Sequence, residues 1–258
     1  MKSTFNFIIT ISIIYFSFYY TNLVSNYIKN KDPIMIEIKN NQDKYYKDPI
    51  NAIILNNTII PGLNGKIINI EETYQKMKKV NSYHESLLVF NEIEPFITIN
   101  NNQDKIIING NNNLRNISVL LKINNLDILK KIINNDNKNI NLILSTSFIK
   151  ENYDFLNSLE NNIVVNQDED INNLNLVDYC YTINIDSGNK CIDNNKFSIL
   201  PTFITHNYYY NTYQIIKNGS ILAYTITDDK NIVELNILLS AIRNLGYKIV
   251  NIDELLKE

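Results

Sequence analysis

The run Ile117-Ser118-Val119-Leu120-Leu121-Lys122-Ile123 is apolar and rich in β-branched residues, and it stops abruptly at two amides, Asn124 and Asn125. An amphipathic stretch, Leu126–Asn134, follows at once. From here to the end the chain alternates. Strands are expected at Ile117–Ile123, Ile140–Leu144, Ile163–Val165, Tyr179–Ile183, Phe197–Leu200, Ser220–Ile226 and Lys248–Val250. Helices are expected at Leu126–Asn134, Phe148–Glu160, around Tyr213–Lys217, Asn231–Leu245 and Asp253–Lys257, with Gly246 as a helix C-cap. Such alternation implies a parallel sheet or barrel, in which functional side chains gather at the carboxyl ends of the strands. Asn124 and Asn125 therefore stand where chemistry is expected.

Upstream the rhythm is different. Ile34-Met35-Ile36-Glu37-Ile38 alternates like a half-buried strand. Short strands are expected at Ala52–Leu55, Thr58–Ile60, Lys66–Ile70, Leu87–Phe90, Phe96–Ile99 and Lys105–Ile108, with Pro61-Gly62-Leu63-Asn64-Gly65 as a turn. One helix, Glu71–Val80, carries acids in its first turn and lysines in its last, as the macrodipole prefers. Residues 29–115 thus read as a small, mostly β module in which nothing looks catalytic. His84, one of only two histidines, reads as a surface or cap residue.

At the amino end, Lys2 precedes an uncharged stretch from Ser3 to Ile28 whose apolar centre is Phe5–Tyr20. A helix of about 20 mainly apolar residues spans a bilayer, and the Tyr15–Tyr20 cluster resembles an interfacial aromatic belt. Residues 1–28 are therefore expected to be a single-pass membrane anchor, with the C-terminal part extracytoplasmic. A cleaved signal peptide is the rival, Leu23-Val24-Ser25 being the one plausible processing site.

The formal charge of −3, without a basic stripe, argues against a nucleic-acid partner. Cys180 and Cys191, the only cysteines, flank a polar, turn-forming stretch at Asp186-Ser187-Gly188-Asn189. On an exported domain they read as a local disulfide; on a cytosolic one, as two free thiols. Seventeen tyrosines are many for this length, and several cluster late in the chain. Tyr181, Tyr208 and Tyr209 are candidates for stacking on a sugar ring, the alternative being that they pack a Trp-free core.

Two stretches carry a family resemblance. One is Pro61-Gly62-Leu63-Asn64-Gly65, Tyr74-Gln75-Lys76-Met77-Lys78 and Leu88-Val89-Phe90 followed by Pro95; the other runs through Asn139–Leu144, Gly219-Ser220-Ile221-Leu222 and Leu245-Gly246-Tyr247-Lys248-Ile249-Val250 with Ile252-Asp253-Glu254-Leu255. In this order they resemble the anchored polysaccharide deacetylase-like proteins of low-GC Gram-positive bacteria, which carry a NodB-homology carbohydrate-esterase domain. The resemblance covers most of residues 50–258. It implies an α/β fold: a shortened, distorted NodB-like (β/α) barrel over 116–258, preceded by the mostly β module and the N-terminal transmembrane helix. It also implies a divalent-metal hydrolase in which a "T-F-D-D-G-P" motif supplies a base and a metal ligand, an "N-H-T/S-x-x-H" motif two histidines, and a late histidine an acid. Those motifs fall at Leu121–Asp127, near Asn162–Ile171 and near Ala223-Tyr224. Asn124, Asn125, Asn166, Gln167 and Tyr224 occupy the positions, so an amide or a phenol stands where each acid or imidazole is required.

The expectation is accordingly a catalytically degenerate deacetylase-like domain at the cell envelope, binding cell-wall glycan or acting as a scaffold, with no catalytic residue, metal or cofactor. One alternative is an active deacetylase with a rebuilt site that uses Asn, Asp and His206 and a divalent metal such as zinc. Separately, Asp168, Glu169 and Asp170 form an acidic run that reads either as a hard-cation site or as a solvated loop. Another is a structural subunit of an envelope complex with no carbohydrate ligand.

Overall fold

The computed structural model describes residues 2–134, 139–159, 163–166, 178–205 and 215–258, with side chains throughout except at 2–9, 134, 166 and 205. In chain order the first half contains α1 (Lys2–Lys31), α2 (Pro33–Asn40), α3 (Gln42–Tyr45), β1 (Ile53–Leu55), β2 (Thr58–Ile60), β3 (Gly65–Ile68), α4 (Ile70–Val80), β4 (Phe90–Ile93) and β5 (Ile106–Ile107). There follow β6 (Asn116–Ile123), α5 (Leu126–Asn134), β7 (Ile140–Leu144), α6 (Thr146–Glu151), α7 (Tyr153–Asn157), β8 (Ile163–Asn166) and β9 (Tyr179–Tyr181). The chain closes with α8 (Ile185–Asp193), β10 (Phe197–Ile199), β11 (Phe203–Thr205), β12 (Ile221–Ile226), α9 (Asp229–Asn244), β13 (Lys248–Val250) and α10 (Ile252–Leu256). Two compact units result: residues 1–48 with 65–93, and residues 49–64 with 94–258.

In the first unit the strand expected over Ile34–Ile38 is helix α2. The Asp32 carboxylate accepts from the Ile34 backbone N–H at 3.0 Å, and Pro33 takes the first helical position, where its missing N–H costs nothing. Helical spacing then puts Ile34 and Ile38 on one face, buried with Ile68 and Met77. Asp32 also accepts from Tyr74 Oη at 3.0 Å and from the Lys78 ammonium at 2.6 Å, which ties α2 to α4. β3 and β4 pair antiparallel. The strand expected at Leu87–Phe90 starts late, at Phe90, because Glu85–Leu87 winds into a 3₁₀ turn.

Helix α1 corrects the expectation of an anchor. Among the described residues no helix is long and apolar enough to cross a membrane. Ser12, Ser17, Thr21, Asn22, Ser25 and Asn26 are spread between the apolar residues, and the tyrosines add hydroxyls. Absence of charge over Ser3–Ile28 was therefore a poor guide to hydrophobicity. The transmembrane segment over 1–28 and the single-pass membrane localisation built on it are both overturned.

The second unit holds a mixed α/β fold on one eleven-stranded sheet, ordered β1-β2-β5-β10-β9-β8-β7-β6-β12-β11, with β13 also paired to β6. Apart from the β1–β2 hairpin every pairing is parallel. β1, β2 and β5, expected in the small module over 29–115, thus join this sheet. Alternate residues feed two cores. Val119, Leu121, Leu142, Val165 and Leu222 pack under α5, α6, α7 and α9, while Leu120, Ile143, Val164 and Ala223 pack with Ile59, Ile99 and α10 on the other face. That second face is concave. Strands lie about 4.8 Å apart, so β6 and β9, three positions apart in the order, are far from each other in a flat sheet. Yet the Lys122 ammonium of β6 reaches 5.9 Å from the Tyr181 ring centroid of β9, as a sheet curled toward this face brings them together. The sheet is a half-barrel.

Two further local readings change. The expected helix Phe148–Glu160 breaks at Asn152, whose side-chain Nδ2 donates to the Phe148 carbonyl at 2.9 Å, leaving α6 and α7. Asp186–Asn189 is not a loop but the first half of α8, which Asn184 caps. Gly188 is there for close packing, since a Cβ would lie 2.4 Å from Ile106 Cδ1. No strand forms at Phe96–Ile99, and β11 was not anticipated.

Candidate functional site

At the carboxyl edge of the half-barrel, β6 ends and exposes Asn124 and Asn125. The second amide is occupied locally: its Oδ1 accepts from the backbone N–H groups of Asp127 at 2.8 Å and Ile128 at 3.2 Å. Asn125 is thus the N-cap of α5. Asn166, the last residue of β8, is in register with Tyr181 and reaches the same edge, one strand removed from β6. Tyr181 is buried on the concave face, and burial pushes its phenol pKa up. Tyr224 does not belong to this group. It is fully buried on the opposite face, among the residues under α9, and its hydroxyl donates to Glu234 at 3.0 Å. Burial first, and the Glu234 carboxylate second, push its pKa up to about 12. Gln167, Tyr208, Tyr209, His206, Asp168, Glu169 and Asp170 lie outside the described residues.

Cys180 of β9 and Cys191 of α8 form a disulfide with Cα atoms 5.6 Å apart, both buried in the core under the helices. It staples α8 to the sheet; it does not touch the carboxyl edge.

A divalent metal fits the described carboxyl edge poorly. Tight divalent sites are built around carboxylate oxygens for hard cations, or imidazole and thiolate for zinc-like ones. Here the strand ends offer neutral amides, and Lys122, half-buried on the concave face two residues before Asn124, adds a positive charge. Among the described residues no three His, Cys, Asp or Glu converge on a point where a metal could sit.

The amino edge is built differently. A cleft of about 320 Å³ opens there, walled by Tyr179 and Phe197 and rimmed by Glu94, Asp253, Lys257 and Glu258. The rings lie 5.9 Å apart at 36°. Tyr179 donates its hydroxyl to Asp253 at 2.7 Å; burial first, then this contact, push its pKa up. Glu258 accepts from the Gly62 N–H at 2.8 Å and the Ile99 N–H at 3.0 Å. Burial raises its pKa most, the two N–H groups oppose that, and Glu94 raises it further. Gly62 lets the chain approach this closely: a Cβ would meet the Ile50 carbonyl oxygen at 2.2 Å. Sequence reasoning missed the cleft because its residues come from five separate segments without a motif. Pro61-Gly62, read as a turn and as part of the family resemblance, was the one local sign.

No family model matches the sequence. A curated relative, the uncharacterized protein YlxY of Bacillus subtilis (strain 168), is 35% identical over 75 residues, which is 29% of this chain and 24% of the relative. The match therefore spans about a quarter of that protein's length. Among solved structures, a mutant of BA3943, a CE4 family pseudoenzyme, matches with a TM-score of 0.63 and 19% identity over 88% of this chain and 99% of its own. Wild-type BA3943 from Bacillus anthracis matches with a TM-score of 0.62 and 19% identity, over 88% and 96%. A BA3943 mutant with restored enzymatic activity matches at 0.62 and 19%, over 87% and 98%. At this identity the likeness establishes the fold. The half-barrel is that of the family 4 carbohydrate esterases, including a Bacillus pseudoenzyme, and the resemblance to polysaccharide deacetylase-like proteins is borne out at that level.

Proposed function

We propose that this chain is a catalytically silent deacetylase-like domain that binds glycan at the cell envelope. The observation that carries the reading is the end of β6. Hydrolysing an acetamide at neutral pH takes an activated water, a base and an acid. Asn124 and Asn125 neither accept nor release protons near neutrality, and Asn125 is committed to capping α5. Support also comes from the fold neighbour, itself described as a pseudoenzyme, and from the Cys180–Cys191 disulfide, which suits an oxidising compartment.

The test combines two measurements on the full chain. Acetate release from acetylated chito-oligosaccharides or peptidoglycan fragments, with Zn²⁺, Co²⁺ or Ni²⁺ supplied, is expected to be nil. Co-sedimentation with purified peptidoglycan is expected to retain the protein. Metal-dependent acetate release that His206→Ala abolishes would overturn the reading in favour of a rebuilt site. Failure to sediment would favour a structural subunit without a carbohydrate ligand.

A further inference from the structure

We infer that the amino-edge cleft is a second binding site, for a saccharide ring carrying a protonated amine. It lies at the opposite end of the strands from Asn124 and Asn125, and the inference holds whether or not the carboxyl edge is silent.

Three features converge on that chemistry. Tyr179 and Phe197, both half-buried, present adjoining rings. Such a wall suits the C–H face of a pyranose, and each ring also attracts a cation above it. The volume, about 320 Å³, is at the lower end for small-molecule sites and suits one or two sugar rings. Charge points the same way: the carboxylates of Glu94 and Glu258 both line the cleft. Glu94 is near enough to Glu258 to disfavour its ionisation, so the cleft holds like charges that a bound cation would relieve.

A metal ion is a poor candidate for that cation, because among the described residues no three acidic, histidine or cysteine groups meet at one point. An organic ammonium needs no such convergence. The side-chain amides of Asn100 and Asn101, also on the rim, offer donors and acceptors for ring hydroxyls. A flat apolar face, an ammonium and several hydroxyls together describe an aminohexose. A neutral hexose leaves the repulsion between Glu94 and Glu258 unrelieved, and a simple alkylamine leaves the aromatic wall uncovered.

Titration calorimetry of the full chain with D-glucosamine, D-glucose and methylamine tests this. Glucosamine is expected to bind at least about fivefold more tightly than either of the others. Glu94→Gln, at an exposed position, should weaken glucosamine binding about threefold to fivefold, the range of an exposed charge contact, without lowering the melting temperature. Phe197→Leu should weaken it as well; if that variant does not fold, the Glu94→Gln comparison decides alone. Equal binding of glucose would overturn the charge argument, and equal binding of methylamine the saccharide. No binding of glucosamine, or binding indifferent to Glu94→Gln, would overturn the site. Peptidoglycan sedimentation that persists while the cleft variants lose glucosamine separates this site from the one under the proposed function.

Discussion

The two edges of the half-barrel treat their polar residues in opposite ways. At the carboxyl edge Asn124 and Asn125 are exposed, and the one with a defined task caps the helix that follows it. At the amino edge several polar side chains, buried or half-buried, tie distant segments together. Asn141 is fully buried; its Nδ2 donates to Ser118 Oγ at 2.8 Å and the Val119 carbonyl at 3.1 Å, while its Oδ1 accepts from the Ile252 N–H at 2.8 Å. Asn111 reaches the carbonyls of Pro61 and Gly62, and Glu258 holds the N–H groups of Gly62 and Ile99. The edge where chemistry is expected has side chains with local duties. The other edge carries the long-range polar architecture.

That contrast breaks most readily at Asn141. Asn141→Leu keeps the branching of the side chain but strands the Ile252 N–H at the start of α10 and the Ser118 hydroxyl. Each buried orphan costs about 1–3 kcal/mol, so a loss of about 3 kcal/mol is expected in urea unfolding. A loss below about 1 kcal/mol would show that these contacts are incidental.

A smaller and more selective effect is expected at Asn125. Asn125→Ala removes the cap of α5 and should cost about 1 kcal/mol, whereas Asn125→Asp preserves it and should lie within about 0.5 kcal/mol of the parent. The same Asp variant should release no acetate, since it restores one acid to an edge that still lacks imidazoles at the matching positions. If both variants unfold like the parent, Asn125 has no capping role and its reading as a vestigial position gains ground.

How much of this was legible beforehand depended on the kind of signal. β6, β7, α5 and β13 emerge close to their expected bounds because each is one apolar stretch with one period. The alternation Ile34-Met35-Ile36-Glu37-Ile38 fits two periods, and the cap at Asp32 with Pro33 behind it decided for helix. At Asp186–Asn189 polar residues suggested a turn, but Gly188 serves contact with Ile106 and the segment is helical. The anchor expected over 1–28 rested on an uncharged stretch with an apolar centre, and the polar residues spread through it leave the helix too weakly apolar to span a membrane. At the site, the amide substitutions were visible in sequence, but the burial of Tyr224 away from the mouth was not. Nor was the amino-edge cleft, whose parts are far apart in the chain and meet only through the fold.

The smallest expected effect is electrostatic and belongs to the amino edge alone. Glu258 has its folded-state pKa raised above the ordinary 4.5, chiefly by burial, against the pull of the Gly62 and Ile99 N–H groups. For a carboxyl group shifted upward, the folded chain keeps a proton that the unfolded chain has already lost, so stability falls as pH rises from the unfolded value through the folded one. Paired carboxylates elsewhere slope the other way: Asp32, held low mainly by its hydrogen bond to Lys78, favours folding above its unfolded pKa and loses that contribution as pH falls. The whole-protein curve mixes the two signs, so the informative quantity is the difference between parent and variant. Glu258→Gln should remove the downward slope above about pH 4.5 while leaving the acid limb set by groups such as Asp32 in place. Its absolute stability is a separate matter, because a glutamine offers only one acceptor to the two N–H groups. Glu94→Gln should shift the same feature to lower pH, since Glu94 is one of the groups that raises the Glu258 pKa. Urea midpoints between about pH 4 and 8 read both effects. A Glu258→Gln curve parallel to the parent's at every pH would remove the charge coupling on which the contrast between the two edges partly rests.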